Sequence, residues 1–194
     1  MKFPVILIAL TAAAASQAFT VATFSDPAPD GNAPLFTLDI ANNKISGSWS
    51  QPGLNLLTPG LSAADISNAK LNMNAVNLNP IGPGLFTTGP GQIDFSDAAN
   101  NLVFRINFTT GLVAPTSFGS SEFFGQNVQF SDANGPLTGL SQETFSFAFA
   151  NPKFAGNTIT YTAAFTSSAV PEPGTMLALA AGAAGLIARR RRSN

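Results

Sequence analysis

Apolar side chains in this chain recur at every second residue. In the clearest run, Leu102, Phe104, Ile106 and Phe108 alternate with Val103, Arg105 and Asn107. Successive side chains of a β-strand point to opposite faces, so this period places the four apolar residues on one buried face. The body of the chain, residues 19–168, follows this period of two rather than the 3.6 of a helix. The pattern therefore predicts an all-β protein.

The same alternation marks further strands and one irregularity. The runs lie at residues 21–24, 35–40, 44–50, 71–78, 84–88, 92–95, 123–130, 144–149 and 158–165. In the run at 71–78 the apolar phase slips by one residue at Ala75 and Val76, which predicts a β-bulge. Turn-forming Gly, Pro, Asn and Asp separate the runs. About nine or ten short strands of this kind predict an antiparallel, jelly-roll-like β-sandwich with a phenylalanine-rich interior.

One short helical segment is predicted within the body. Residues 62–69 lack the alternation, and Ser62 and Asp65 have the spacing of a capping box. We expect one or two helical turns there.

Composition excludes several classes of function. The chain contains no Cys and no His, so disulfides, thiolate or histidine metal sites and His-dependent catalytic triads are ruled out. Four basic residues face nine acidic ones between residues 19 and 168. No basic patch can form from so few cations, which argues against a nucleic-acid partner. We predict no catalytic residues, no metal and no cofactor.

Residues 1–18 have the composition of a secretory signal peptide. Lys2 supplies the positive charge, a mostly apolar stretch follows, and Ser16 and Ala18 place small residues at the positions that signal peptidase requires. We expect signal peptidase to cut between Ala18 and Phe19.

The C-terminal end begins with a rigid element and continues with an apolar one. Pro171, Glu172 and Pro173 cannot form a helix, because each proline fixes its own φ and restricts the residue before it. Residues 175–188 are uncharged and rich in Ala, Gly and Leu. They predict a transmembrane helix that is shorter than the roughly 30 Å hydrocarbon core of a bilayer. Such a helix suits a temporary anchor.

Four consecutive arginines, Arg189, Arg190, Arg191 and Arg192, follow the apolar segment. A basic cluster after an apolar helix stays in the cytoplasm. The arginines therefore act as a membrane stop that leaves the body on the outer side.

This order of elements resembles the PEP-CTERM sorting signal of Gram-negative bacteria. The residues that match are Val170 to Pro173, the apolar segment to Ala188, and the arginine run. The resemblance implies that an exosortase, a membrane cysteine protease, recognises the tail and cuts it near Pro-Glu-Pro. It also implies a bacterium that makes exopolysaccharide and biofilm. A plain tail anchor would explain the helix and the arginines but leave Pro-Glu-Pro unexplained.

The domain prediction is a signal peptide at 1–18, a β-sandwich body at 19–168 and a sorting signal at 169–194. We expect a non-enzymatic protein that is exported, held transiently at the inner membrane and processed by signal peptidase and exosortase. Its destination is then the cell surface or the extracellular matrix, where a structural or adhesive role, linked to exopolysaccharide or biofilm, fits best.

Two other functions are weighed against this one. In a carbohydrate-binding module, Trp49 would stack on a sugar from an exposed face; a tryptophan packed in the core is the simpler interpretation. In a small hydrolase, Asp94 with Asp97, or Glu122 with Glu143, would have to converge in a cleft.

Residues 26–32, with two Asp and one Asn, are oxygen-rich like a calcium loop. Their spacing does not match the EF-hand pattern, and we interpret them as a turn.

Overall fold

The structure, a computed structural model, describes residues 17–115 and 121–172. Eleven strands occupy these ranges. They are β1 (Phe19–Phe24), β2 (Phe36–Asp39), β3 (Lys44–Trp49), β4 (Lys70–Gly82), β5 (Leu85–Thr88), β6 (Gly91–Ser96), β7 (Leu102–Ala114), β8 (Glu122–Asp132), β9 (Gly135–Pro136), β10 (Leu140–Ala155) and β11 (Thr158–Pro171). The described ranges contain no helix, and the all-β prediction is confirmed.

The strands form one antiparallel sheet that closes on itself. Hydrogen-bonded neighbours follow the order β7, β6, β4, β3, β2, β11, β10 and β8, and β8 then pairs with β7. The closure therefore takes eight strands, with β5 and β6 following each other along the same edge of β4. The predicted sandwich of two sheets is corrected to this single closed sheet. Alternation shows that each strand has a buried face, but both architectures bury one face, so it does not separate them.

Phenylalanine rings fill the interior of the closed sheet, as predicted. Phe36 and Phe147 lie on different strands with ring centroids 4.8 Å apart, and Phe147 lies equally close to Phe165. Glycines on neighbouring strands make room for these rings. A Cβ atom built on Gly125 would lie 2.0 Å from Cε1 of Phe145. At this position the ring of Phe145 therefore packs directly against the backbone of Gly125.

The bulge predicted in the longest early strand is confirmed. Ile45 of β3 pairs with Val76 and Gly47 pairs with Met73, so β4 carries one residue more than β3 between these pairs. Asn74 and Ala75 are both exposed in consequence, and the buried face resumes at Val76. The phase slip in the sequence thus reports the bulge directly.

The predicted helical turn at residues 62–69 is wrong. This stretch consists of bends and turns, with Ile66 in an isolated bridge to Leu56. Asp65 does not cap a helix, because its carboxylate accepts a hydrogen bond of 2.8 Å from the amide of Thr58. Packing against the segment around Leu56 replaces the local helical bonds.

Strand β1 continues the sheet along the edge of β11, beyond the residues of β11 that pair with β2. It pairs with β11 on one edge, through residues 165–169. On its other edge Thr23 exchanges backbone hydrogen bonds with Leu57, and the amide of Gly60 donates to the carbonyl of Val21. Both edges of β1 are therefore occupied.

Among the residues that the structure describes, no helix is long and apolar enough to cross a membrane. The helix predicted at residues 175–188 lies outside those residues.

Candidate functional site

The last strand leads directly into the predicted sorting element. β11 does not end near Phe165, as the alternation suggested, but continues to Pro171. Val170 is in register with Ser141 of β10, and Pro171 with Leu140. The amide of Glu172 then donates a hydrogen bond of 2.9 Å to the carbonyl of Gly139. Pro171 and Glu172 are thus held against β10 by backbone pairing.

Ser141 adds a side-chain contact to this strand end. Its hydroxyl donates a hydrogen bond of 3.2 Å to the carbonyl of Val170. Gly139, whose carbonyl receives the Glu172 amide, has a φ of 75°. This left-handed conformation is easy only for glycine, so the residue type itself sets the position of that carbonyl.

The predicted mature N-terminus lies beside the same strand end. Phe19 pairs with Ala169, and Thr20 pairs with Ser168. Ala18 is exposed and precedes the strand. The structure therefore brings the predicted signal-peptidase position and the sorting element to one end of β11, although almost the whole body separates them in sequence.

Two bulges flank the end of β11. On β1 the register shifts between Thr20 and Ala22. On β10 it shifts between Ser141 and Thr144, and Gln142 within that bulge has a φ of 51°. Bulges bend a strand and increase its twist. Both neighbours of β11 are therefore irregular beside its last residues.

A cavity of about 340 Å³ opens beside this strand end. It lies between the β8–β9 hairpin and the loop at Leu61, and it reaches Leu140, the partner of Pro171. Its lining residues are Gly60, Leu61, Ser62, Asp132, Asn134, Pro136, Leu137, Thr138 and Leu140.

The end of β11 and the residues after it are similar to a C-terminal sorting signal of exported proteins. Residues 169–192 match the model of the PEP-CTERM protein-sorting motif. The motif supports export, a membrane-anchored sorting signal and processing by an exosortase. Comparison with curated proteins and with solved structures gave no match. The matched stretch begins at Ala169, inside β11, so the motif and the sheet overlap.

The remaining sorting residues lie beyond the described part of the chain. They are Pro173 and the membrane stop of Arg189, Arg190, Arg191 and Arg192.

Trp49 lies at the end of β3 and is buried, with 5% of its surface exposed. It borders a cavity of about 330 Å³ that is also lined by Ser46, Ser48 and Gln51. Its indole nitrogen has no hydrogen-bond partner. Sugar stacking requires an open aromatic face, and the ring does not present one. The fold therefore corrects the exposed position that the glycan hypothesis gave to Trp49.

Asp94 and Asp97, the first predicted carboxylate pair, are both hydrogen-bonded to neighbouring residues of the fold. Both oxygens of Asp94 accept from the guanidinium of Arg105, at 2.7 and 2.9 Å, and Gln92 donates to one of them. This hydrogen bonding raises the pKa of Arg105. Asp97 instead accepts from the side chain and the backbone of Asn101, which lowers the pKa of Asp97.

The second pair lies on β8 and β10. Glu122 stands opposite Ala148 and Ala114. Glu143 lies in the bulge of β10, where burial raises its pKa despite a backbone hydrogen bond from Phe130. Within residues 17–115 and 121–172, no three Asp or Glu residues group as metal ligands.

The oxygen-rich loop at residues 26–32 is a turn, as interpreted. Asp26 accepts from the amide of Ala28, and Asp30 accepts from both the amide and the side chain of Asn32. These bonds lower the pKa of Asp30. The loop packs on the outer face of the sheet, where the second carboxylate oxygen of Asp26 accepts from the hydroxyl of Thr162.

Sequence reasoning missed Gly139 and Ser141, which hold the strand end, and Ser167, whose hydroxyl bonds to the backbone of Ala22. Only Ser167 had a signal in the sequence, because Ala163, Phe165, Ser167 and Ala169 continue the period of two. Its small polar side chain did not mark it as buried.

Proposed function

We propose that this chain is a non-enzymatic protein of the cell surface or the extracellular matrix, with a structural or adhesive role. The observation that carries the proposal is the overlap between the sorting motif and β11. A body whose last strand becomes the sorting signal has no stalk, so it is presented close to the membrane until its tail is cut.

The local chemistry of the body supports a structural role. Asp94 and Asp97 are engaged by Arg105, Gln92 and Asn101. Carboxylates with such fixed partners contribute to the surface hydrogen-bond network of the fold. General acid–base catalysis needs a different kind of carboxyl group, one that is free to exchange a proton with a substrate.

Net charge supports an extracellular setting without nucleic acid. The body carries four basic and nine acidic side chains between residues 19 and 168. Two of its basic residues are also engaged within the fold, since Arg105 is paired with Asp94 and Lys70 donates to Asn100 and to the carbonyl of Ala98.

The sorting step is tested with a triple substitution, Pro171→Ala, Glu172→Ala and Pro173→Ala, in a bacterium that has an exosortase. We expect export to continue and processing of the tail to stop, which intact-mass measurement of the envelope fraction detects. Pro80→Ala with Pro83→Ala is the matched control, because it removes two exposed prolines at the β4–β5 hairpin. Equal mature masses for the triple variant and the natural chain would refute the sorting assignment.

The role after sorting is tested by deleting the protein and measuring retention of cells and exopolysaccharide in the biofilm. We expect retention to fall, and to return with the natural chain but not with the triple variant. Unchanged retention in the deletion strain would refute the structural role while leaving the sorting step intact.

A further inference from the structure

The first residues of the sorting motif are protected by the fold. Ala169 is fully buried and is in register with Phe19 on β1. On its other side it lies opposite the bulge of β10, between Ser168, which pairs with Thr144, and Val170, which pairs with Ser141. Val170 and Pro171 remain paired with Ser141 and Leu140.

Glu172 is the last residue that the structure describes, and its amide donates to the carbonyl of Gly139. Its side chain is exposed. The paired part of the motif therefore reaches Glu172.

A peptidase needs its substrate in the opposite state. Peptides are commonly bound as extended strands whose backbone groups pair with the binding protein. Backbone that already pairs within a sheet must first open, and proteolysis concentrates on segments that are free of such bonds. A cut before Glu172 would require the end of β11 to separate from β10.

At the N-terminal end of the body, the expected signal-peptidase cut likewise lies just outside the paired strand. Ala18 is exposed and outside the sheet, whereas Phe19 is the first residue of β1 and is paired. Removing the leader between them leaves β1 whole. Because Phe19 is opposite Ala169, a C-terminal cut that spares β11 would leave both mature ends at the same border of the sheet.

We infer that the exosortase cuts on the C-terminal side of Glu172, and that Val170, Pro171 and Glu172 stay on the mature protein as the end of β11. The inference rests on the proposed processing and adds the position of the cut. Hydrolysis breaks one peptide bond: water gives its hydroxyl to the acyl carbon and a proton to the leaving amine. Such a cut either divides Pro-Glu-Pro or leaves all three residues on the mature protein. The three residues are not removed together with the tail.

The experiment identifies the C-terminal residue of the mature protein by peptide mapping. The full chain is expressed in a bacterium with an exosortase, and mature protein is purified from the envelope and from the medium. Mapping reads the terminal residue whether or not another group is attached to it. We expect the terminus at Glu172 or later.

Two glycine variants test whether the sheet determines the position. Gly139→Val strains a residue with a φ of 75° and displaces the carbonyl that holds Glu172. We expect a share of its mature chains to end before Glu172. Gly156→Val is the matched control, because its φ is 60° and it lies in the turn at the far end of the same hairpin, with open space around it. We expect its terminus to equal that of the natural chain.

The outcomes separate the two claims. A natural terminus at Pro171 or earlier would overturn this inference and leave the processing proposal standing. Identical termini in Gly139→Val and the natural chain would also overturn it, since the sheet would then have no influence. An uncut natural chain would overturn both.

Discussion

The hydroxyl of Ser167 bridges both backbone groups of Ala22. It accepts a hydrogen bond of 3.0 Å from the amide of Ala22 and donates one of 3.0 Å to the carbonyl of the same residue. Both residues are buried. The contact lies at the bulge of β1, where the ladder with β11 is interrupted. One side chain thus replaces the backbone bonds that the bulge removes.

Replacing Ser167 with Ala should destabilise the folded protein by about 1–3 kcal/mol, because two buried backbone groups lose their partner. Urea unfolding measures this as a lower midpoint with an unchanged slope. Ser168→Ala is the control: its hydroxyl faces outward to Thr144 at 3.0 Å, and we expect a change within about 0.5 kcal/mol. Equal effects of the two substitutions would contradict the role given to Ser167.

Replacing Gly125 with Ala should also destabilise the body, by about 1–3 kcal/mol. The added methyl would lie 2.0 Å from the ring of Phe145, which must move into a filled core. Gly82→Ala is the control, since a Cβ there meets nothing within 4 Å. Urea unfolding of both variants decides the point. A Gly125→Ala body as stable as the Gly82→Ala body would show that the interior is looser than described.

Trp49 should be shielded from solvent in the folded protein. The chain has one tryptophan, so fluorescence reports on this residue alone. We expect acrylamide to quench the folded protein weakly and the urea-unfolded protein strongly. The Trp49→Phe variant has no tryptophan and gives the background fluorescence. Quenching that is equally strong in both states would place the ring on the surface and restore the sugar-stacking hypothesis.

Stability should fall at high pH because of Tyr161. Burial raises the pKa of this phenol from 10.0 to about 12. The folded state then keeps the proton that the unfolded state releases, so the stabilising contribution is complete below pH 10.0 and is lost as the pH rises towards about 12. Unfolding measured across this range should show the loss.

Tyr161→Phe is the control for this pH effect. It removes the titrating group together with the hydrogen bond of 3.0 Å to the carbonyl of Pro115. The variant should be less stable at neutral pH and should lack the alkaline loss. The protein has one tyrosine, so its tyrosinate absorbance also measures the pKa directly. A midpoint near 10 would contradict the burial.

Local features of the fold could be predicted from the sequence because they depend on neighbours in the chain. The strands follow from alternation, and the bulge at Asn74 and Ala75 follows from a slip of one residue in that alternation. The turn at residues 26–32 follows from Asp and Asn, whose side chains bond to nearby backbone amides. The helical turn at 62–69 failed because Asp65 bonds to Thr58, outside the local segment.

The end of β11 could not be delimited in the same way. Ser167 and Ala169 face inward, yet one is polar and the other small, so neither marks a buried position in the sequence. Trp49 posed the reverse problem: a large ring beside polar neighbours is compatible with burial and with display. Both positions depend on which strand lies opposite.

By itself, the sequence determined the strands, the C-terminal sorting motif and the absence of histidine and cysteine chemistry. These are properties of short segments and of composition. Only the tertiary structure decided that the sheet closes, that Trp49 is inside and that the sorting motif begins within a strand beside Phe19. These features rest on pairings between distant segments, such as the bond from Ala22 to Ser167, 145 residues apart, and no local pattern specifies which segments meet.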